Sequence, residues 1–236
     1  MFIISKKRIL FIATMIMVSI VSYVSFREKY DTVETVTLPV TGKTIVLDAG
    51  HGSPDEGAES ASGLTEASIN LVITKKLQTL LEQSGCNVVL TRSDEKGIYD
   101  LNSNTIREKK VSDIKNRVKI GNESSADIFV SIHLNKIPQT QYYGWQAFFK
   151  ANNEKSEELA KSVQEELNAS IQKENKREAL KISGKYIIEH VEIPIVIVEC
   201  GFLSNPGEAE KLVSEEYQEQ MAQVICSGIM TWLSQN

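Results

Sequence analysis

The sequence predicts an α/β domain in which a mostly parallel, twisted sheet of about six strands carries helices on both faces. Short apolar segments rich in β-branched residues alternate along the chain with longer segments whose apolar residues recur at helical spacing. The alternation starts at Lys43 and continues to the C-terminus, which is enough chain to bury one core. The composition, 42% hydrophobic and 24% charged, is typical of a globular protein. Together these observations predict a single domain.

The N-terminal segment differs in composition from the rest of the chain. Three basic residues, Lys6 to Arg8, precede the uncharged apolar run Ile9 to Phe26, which is close to the roughly 20 residues that cross a bilayer. This charge placement puts the N-terminus in the cytoplasm. Residues 1–30 are therefore predicted to be a signal peptide or a membrane anchor, residues 31–42 a linker, and residues 43–236 the exported domain.

Five elements are predicted in the first half of the domain. Helical spacing of apolar residues and a stop at Gly85 indicate the first helix. The polar stretch Arg92 to Lys110 has little periodicity and is interpreted as a loop over the site. In chain order the elements are a strand at 44–47, a helix at 65–83, a strand at 87–91, a helix at 112–122 and a strand at 127–132.

Six further elements are predicted in the second half. Asn205-Pro206 is a helix-start signal, because proline is favoured at the first helical position. Apolar residues from Tyr217 to Trp232 form one face of a C-terminal helix. In chain order the elements are a strand at 144–149, a helix at 154–172, strands at 185–188 and 193–198, a helix from 206 and the C-terminal helix.

Two of the three histidines follow apolar strand segments. His51 comes after Thr44–Leu47, and His133 ends the strand of residues 127–132. Ligands of α/β sheets gather at the carboxyl ends of the strands, so the two rings are expected to lie close together. Zinc hydrolases commonly use three protein ligands and keep one position open for water. Glu66, early in the first helix and on its sheet-facing side, is the third candidate ligand, although an acid there also offsets the helix dipole without a metal.

Glu199 closes the apolar run Ile193 to Val198. A carboxylate at the end of a buried strand is costly unless it is paired or functional. Near zinc it would act as the general base and acid in hydrolysis of an amide by water; the alternative is a structural salt bridge with Arg117. His190 is interpreted as structural or substrate-facing. G-x-S-x-G, P-loop and G-x-G-x-x-G motifs do not follow any strand, which argues against serine esterases, NTPases and dinucleotide enzymes.

Charge and cysteine content exclude other classes. A formal net charge of -5 and the lack of a dense basic stripe beyond the N-terminus argue against nucleic-acid binding. Three cysteines without C-x-x-C spacing predict buried free thiols rather than a disulfide framework or a thiolate zinc site.

At these positions the chain resembles the zinc-dependent N-acetylmuramoyl-L-alanine amidases of bacterial cell walls. The resemblance extends from Lys43 to the C-terminus, and in this family two histidines and a glutamate bind zinc while a second glutamate is catalytic. It implies that His51, Glu66 and His133 bind Zn²⁺ and that Glu199 is catalytic. The segments that carry it are Leu47 to Gly52, Gly57-Ala58, Gly63 to Glu66, Thr91-Arg92, Arg117, Ser131 to Asn135 and Val198 to Asn205.

The chain is similar to the germination-specific amidases of spore-forming bacteria in its short length, its N-terminal export segment, its Leu38-Pro39-x-x-Gly42-Lys43 entry and the lack of a visible wall-binding repeat module. This implies hydrolysis of the bond between N-acetylmuramic acid and L-alanine in peptidoglycan of the spore cortex, on the way to muramic-δ-lactam. It also implies a location outside the cytoplasmic membrane or in the forespore intermembrane space. The alternatives are a zinc peptidase acting on the stem peptide and a non-catalytic wall-binding domain.

Substrate and partner contacts are less specified by the sequence. Asn135, Arg117 and Arg92 are candidates for binding the muramyl peptide, the arginines through a peptide carboxylate, and a structural salt bridge is the alternative for each arginine. An exported activator or targeting protein is also expected, and the polar stretch Arg92 to Lys110 is the segment that it would order.

Overall fold

A computed structural model of the protein describes residues 6–31, 40–171, 174 and 176–236. The contacts divide the chain into two units, Met1–Thr37 and Leu38–Asn236. In the first unit, helix α1 spans Lys6–Asp31 and exposes apolar side chains such as Leu10 and Phe11. Within the described ranges, no helix is both long enough and apolar enough to cross a membrane.

The predictions for the N-terminal region lie partly outside the described residues. The segment predicted at 1–30 includes positions 1–5, and the linker predicted at 31–42 includes positions 32–39, none of which the structure describes. The predictions of a signal peptide or anchor and of a linker therefore stay predictions.

The second unit alternates strands and helices as the sequence predicts. Its elements, in chain order, are β1 (Thr44–Ala49), α2 (Glu66–Gln83), β2 (Asn87–Leu90), α3 (Ile106–Glu123), β3 (Ile128–Asn135), β4 (Gln146–Lys150), α4 (Glu154–Ser170), β5 (Leu180–Ile182), α5 (Tyr186–His190), β6 (Ile195–Phe202), α6 (Pro206–Leu212) and α7 (Glu215–Leu233).

The described strands form one six-stranded sheet in the order β2-β1-β3-β6-β4-β5. Every pair of neighbours is parallel except β4 and β6, which are antiparallel. The predicted α/β class, with a mostly parallel sheet of about six strands, is confirmed. β1, β3 and β6 are consecutive in the middle of the sheet, so residues at their carboxyl ends meet at one edge.

The two faces of the sheet bury different helices. Leu47, Ile132 and Val198 belong to a cluster that contains the apolar faces of α2, α4 and α7. Val46 and Phe129, each next to a residue of that cluster in its own strand, pack on the other face with residues of α3 and α5. Because side chains alternate along a strand, Asp48, His133 and Glu199 fall on the face that carries α3 and α5.

One predicted element has the wrong type. The strand predicted at 185–188 is wrong: these residues begin helix α5, and the strand β5 lies earlier, at Leu180–Ile182. Ile187 and Ile188 are both buried in the cluster beside α3, and such a short apolar run carries no periodicity that separates a helix from a strand.

Helix α3 begins six residues earlier than predicted, at Ile106 rather than residue 112. Its first two turns are polar and lack an apolar period, but a capping box fixes the start: the Thr105 side chain accepts from Glu108 N, and the Glu108 carboxylate accepts from Thr105 N at 2.9 Å. Strands β3 and β6 also extend further than predicted, so His133 and Glu199 lie inside strands rather than after them.

Candidate active site

His51 lies in the loop that follows β1, and its backbone is held by α3. Its φ of 63° is in the left-handed region, which a non-glycine residue adopts when its surroundings fix it. The guanidinium of Arg117 on α3 donates to the carbonyl oxygens of Ala49, at 2.7 Å, and of His51. The His51 ring then places Nε2 3.3 Å from Glu66 Oε2 and Nδ1 3.1 Å from Asp55 Oδ2.

Glu66 is the first residue of α2, but its carboxylate reaches away from the helix. Oε1 accepts from Leu134 N at 3.0 Å, and Oε2 accepts from Ala58 N at 2.9 Å. Thr65 caps the helix instead, since its hydroxyl accepts from Ser68 N. The carboxylate of Glu66, only 4% exposed, is thus fixed by two backbone amides between β3 and the loop after β1.

His133 completes the group from β3. Its Nδ1 lies 3.0 Å from Glu66 Oε1, on the opposite carboxylate oxygen from the one that faces His51. The two imidazole rings are 5.1 Å apart between centroids and inclined by 73°. The sequence-predicted ligands therefore converge: His51, Glu66 and His133 each offer one ligand atom, and these atoms all lie within 4.8 Å of one another.

This geometry fits one zinc ion. Two ligands of a tetrahedral zinc ion, at about 2.1 Å from the metal, are separated by roughly 3.4 Å. Each histidine nitrogen lies at a comparable distance, 3.3 or 3.0 Å, from one of the two oxygens of the Glu66 carboxylate, and the three candidate ligand atoms all lie within 4.8 Å of one another. Two imidazole nitrogens and a carboxylate oxygen are also a donor set that zinc hydrolases use.

Glu199 lies beside this group on the neighbouring strand. It is in register with His133, and side chains opposite each other on adjacent strands share one face. Glu199 Oε2 is buried and makes no hydrogen bond to any described residue. Burial and the nearby carboxylate of Glu66 raise the pKa of Glu199, against the opposing charge of His133. A buried carboxylate oxygen without a hydrogen-bond partner is available for proton transfer.

Comparison with known proteins assigns the family. The family model described as N-acetylmuramoyl-L-alanine amidase matches residues 45–231. The chain belongs to this amidase family. The resemblance predicted from the motifs is confirmed, and the protein is a hydrolase of this class.

Individual relatives agree with the family assignment. The germination-specific N-acetylmuramoyl-L-alanine amidase of Bacillus subtilis (strain 168) is 35% identical over 199 residues, 84% of this chain and 83% of the relative. The CwlD amidase of Clostridioides difficile, solved in complex with the GerS lipoprotein, is 45% identical with a TM-score of 0.80, covering 83% of this chain and 100% of that one. An N-acetylmuramoyl-L-alanine amidase of Clostridium difficile 630 is 31% identical with a TM-score of 0.71, covering 82% and 97%.

In the amidase, His51 and Glu66 carry opposite charges. Burial alone would lower the pKa of His51, but hydrogen bonds and charge from Asp55 and Glu66 outweigh burial and raise it to about 9. Burial would likewise raise the pKa of Glu66, but the two histidines hold it well below its usual range. At neutral pH Glu66 is therefore an anion that can bind a cation, and His51 carries a proton that a bound metal ion would displace.

The two arginines predicted to bind substrate face inward instead. Arg117 has five N–H donors, and its five hydrogen bonds go to Asp48, Asp113 and the carbonyls of Ala49 and His51. All five N–H donors of the guanidinium are used within the domain, which favours the structural alternative that the sequence left open, and the predicted contact with a peptide carboxylate stays a prediction. Arg117 pairs with Asp48 and Asp113, so it is not a salt-bridge partner of Glu199.

Arg92 has a similar structural role. It is 3% exposed and donates to the carbonyls of Ala49, Gly50, Ala67 and Asp94. The guanidinium thus joins the loop after β1 to the first turn of α2 and is buried by these contacts. Its predicted contact with substrate stays a prediction.

Two further residues singled out from the sequence, Asn135 and His190, lie outside the group of His51, Glu66 and His133. Asn135 ends β3 two residues after His133, is half-buried, and accepts from Leu203 N through its carbonyl at 2.9 Å. Its predicted contact with substrate stays a prediction. His190 is exposed on α5, stacked on Tyr186 with ring centroids 3.9 Å apart, and does not join the metal group.

Two aspartates of the site were not identified from the sequence. Asp48, inside β1, accepts from Thr91 Oγ1 at 2.7 Å, from Ser131 Oγ at 2.6 Å and from Arg117 at 2.6 Å. A carboxylate within a buried apolar strand was the available signal for it. Asp55 lies in an irregular loop four residues after His51, and nothing in its spacing indicates that it contacts the ring.

Proposed function

We propose that this protein hydrolyses the amide bond between N-acetylmuramic acid and L-alanine in peptidoglycan, with a zinc ion held by His51, Glu66 and His133. The observation that carries the proposal is that two imidazole nitrogens meet opposite oxygens of one buried carboxylate, beside a second carboxylate that has no hydrogen-bond partner at Oε2. Bound zinc acts as a Lewis acid on the amide carbonyl and makes water a better nucleophile.

Glu199 is proposed to move the proton in this reaction. Its carboxylate accepts a proton from the attacking water and then donates it to the nitrogen of the departing L-alanine. Burial is the main cause of the raised pKa of Glu199. A higher pKa lets the carboxylate take the proton from water more readily and hold it until it is donated to the leaving nitrogen.

Analysis of the products tests this proposal. The full-length protein is incubated with intact muropeptides, with and without a chelator, and new amino termini are identified. We expect a new L-alanine amino terminus that disappears with chelator and returns with added zinc. A new terminus elsewhere in the stem peptide indicates the alternative zinc peptidase, and binding to peptidoglycan without any product indicates a non-catalytic wall-binding domain.

We further propose that the substrate is spore-cortex peptidoglycan. The support is the name of the Bacillus subtilis relative, a germination-specific amidase, and the similarity to the CwlD amidase of Clostridioides difficile. Cells whose chromosomal copy carries Glu199→Gln are expected to make cortex without muramic-δ-lactam. Unchanged muramic-δ-lactam in that strain contradicts the cortex role while leaving the amidase activity to the muropeptide assay.

Export and a partner protein belong to the same proposal. The basic residues and the apolar run at the N-terminus support export as a cleaved or anchored protein. Amino-terminal sequencing of the membrane and extracellular fractions separates the cleaved form from the anchored form, and recovery from the cytosol contradicts export.

The CwlD structure contains a lipoprotein partner, which supports an exported activator for this chain. Zinc content of the protein purified alone and together with a GerS-like lipoprotein tests the activator.

A further inference from the structure

Asp55 lies between a metal-ligand candidate and a surface lysine. Its Oδ2 is 3.1 Å from His51 Nδ1, and its Oδ1 is 2.7 Å from Lys110 Nζ. The Asp55 and His51 side chains are 24% and 25% exposed, whereas Lys110 is half exposed on the first turns of α3. Oδ1 also accepts from Gly57 N at 3.3 Å. The carboxylate is therefore held from two sides while its other oxygen meets the ring.

The contact with Asp55 determines which nitrogen of His51 is available. An imidazole that donates Nδ1–H to a carboxylate has its lone pair on Nε2. In this structure Nε2 is the atom that faces Glu66 Oε2. Carboxylates that contact metal-bound histidines in this way fix the tautomer and the ring orientation and increase the basicity of the ligand.

Helix α3 contacts the same loop at a second point. Arg117, seven residues after Lys110 and so on the same face of the helix, binds the carbonyls of Ala49 and His51. Arg117 thus fixes the backbone of His51, and Lys110 fixes the carboxylate that orients its side chain. The polar first turns of α3, which carry no apolar period, have a function in this arrangement.

We infer that Asp55 is a positioning residue for His51 and that Lys110 acts through Asp55 to keep the His51 ring oriented for zinc. This inference rests on the proposed function, because it assumes zinc at the group of His51, Glu66 and His133. It predicts that zinc affinity depends on two side chains that would not themselves contact the metal.

The test measures zinc affinity of the full-length protein by competition with a chromophoric chelator. Asp55→Asn is expected to weaken zinc binding roughly 10- to 100-fold. Lys110→Met is expected to weaken it less, and the double variant to equal Asp55→Asn alone, because the lysine acts only through the aspartate. Glu56→Gln and Lys115→Met remove the same charges from exposed neighbours and are expected to bind zinc like the wild type.

Thermal unfolding of the metal-free variants separates positioning from folding. A positioning role leaves the midpoint of metal-free Asp55→Asn near that of the wild type while its zinc affinity falls. If Asp55→Asn does not fold, the zinc affinity of the exposed variant Lys110→Met is compared with that of Lys115→Met. A weaker affinity in Lys110→Met alone then supports the positioning role. The inference is overturned if Asp55→Asn binds zinc with wild-type affinity. It is also overturned if Lys110→Met weakens zinc binding as much in the Asp55→Asn background as in the wild type. Absence of zinc binding by the wild type instead contradicts the proposed function.

Discussion

The imidazole of His133 occupies the space that a side chain at Gly50 would fill. A β-carbon at position 50 would lie 2.3 Å from both Cε1 and Nε2 of the ring. Gly50 also donates from its backbone N–H to the carbonyl of Ile132 at 3.0 Å, which fixes the two strands against each other at this point. The glycine before His51 therefore makes room for the other histidine.

Gly50→Ala is expected to displace the His133 ring and to remove zinc binding and activity together. The backbone of Gly50 is outside the left-handed region, so alanine adds only the steric conflict with the ring. Zinc content after gel filtration, muropeptide hydrolysis and the unfolding midpoint measure the effect.

Gly207→Ala is the matched control for this prediction. A β-carbon at that position makes only an ordinary contact, 3.4 Å from Asn205 Oδ1, so zinc binding and activity are expected to remain. Normal zinc content in Gly50→Ala would contradict the packing of His133 over this residue.

Glu199→Gln and His133→Ala are expected to separate proton transfer from metal binding. Glutamine keeps the shape of Glu199 but cannot take up a proton, so activity is expected to fall by a factor on the order of 10² to 10⁴ while zinc stays bound. His133→Ala removes a ligand, so both zinc and activity are lost. Zinc analysis and the muropeptide assay on the same preparations give the two readouts, and normal turnover by Glu199→Gln removes the proposed role.

The sequence was sufficient to predict that His51, Glu66 and His133 lie together, because the topology brings them to one edge of the sheet. His51 and His133 follow or end apolar strands, and the carboxyl ends of neighbouring parallel strands meet at one edge of a sheet. Glu66 begins α2, the helix that follows the loop after β1. Its position near the same edge of the sheet was therefore also predictable from the sequence. These inferences use the ends of the predicted strands and the helical periodicity, and they need no knowledge of side-chain conformation.

Other residues depend on contacts that spacing does not encode. Arg117 was predicted to bind substrate, but its position on α3 places it over Asp48, and only the packed helix reveals that pairing. Asp55 lies in an irregular loop, where no period relates it to His51. The role of Gly50 depends on the orientation of the His133 ring, which a sequence pattern does not determine.

Asp48→Asn is expected to destabilise the protein and to change its response to acid. Burial alone would raise the pKa of Asp48, but the charge of Arg117 and the hydroxyls of Ser131 and Thr91 outweigh burial and hold it below its usual value. The ionised carboxylate therefore contributes stability above the ordinary aspartate pKa, near 3.9, and the contribution is lost as the pH falls through the lower folded-state pKa.

Denaturant unfolding between pH 7 and pH 3 measures this effect. At pH 7 the variant is expected to lose roughly 1 to 3 kcal/mol, because the buried guanidinium of Arg117 loses one of its two carboxylate partners and keeps the other, Asp113. Below about pH 4 the difference from the wild type should begin to shrink, because the carboxylate then takes up a proton in the unfolded state while it is still ionised in the folded state. Glu157→Gln, which breaks the exposed pair with Lys161, is expected to change the free energy of unfolding little at any pH. A constant difference across the pH range would contradict the assigned pKa direction.

Gly228→Ala is expected to destabilise the domain without affecting catalysis. Helices α4 and α7 approach closely at this residue: a β-carbon at 228 would lie 2.6 Å from Val163 Cα, and Ser162 Oγ donates to the Gly228 carbonyl at 2.8 Å. Backbone atoms cannot rotate away as a side chain can, so the helices must separate, at a cost of about 1 to 3 kcal/mol. Ordinarily alanine stabilises a helix relative to glycine by about 1 kcal/mol, so the packing term has the opposite sign from the propensity term.

Denaturant unfolding of Gly228→Ala, compared with Ser227→Ala, tests that competition. Ser227 is the exposed neighbour on α7, and its substitution changes helix propensity without changing the contact between α4 and α7. Helices α4 and α7 pack on the sheet face opposite His133 and Glu199, so the folded Gly228→Ala variant should keep wild-type zinc content and turnover at low temperature. A Gly228→Ala protein more stable than the wild type would mean that helix propensity exceeds the packing cost, and the close approach of α4 and α7 would be contradicted.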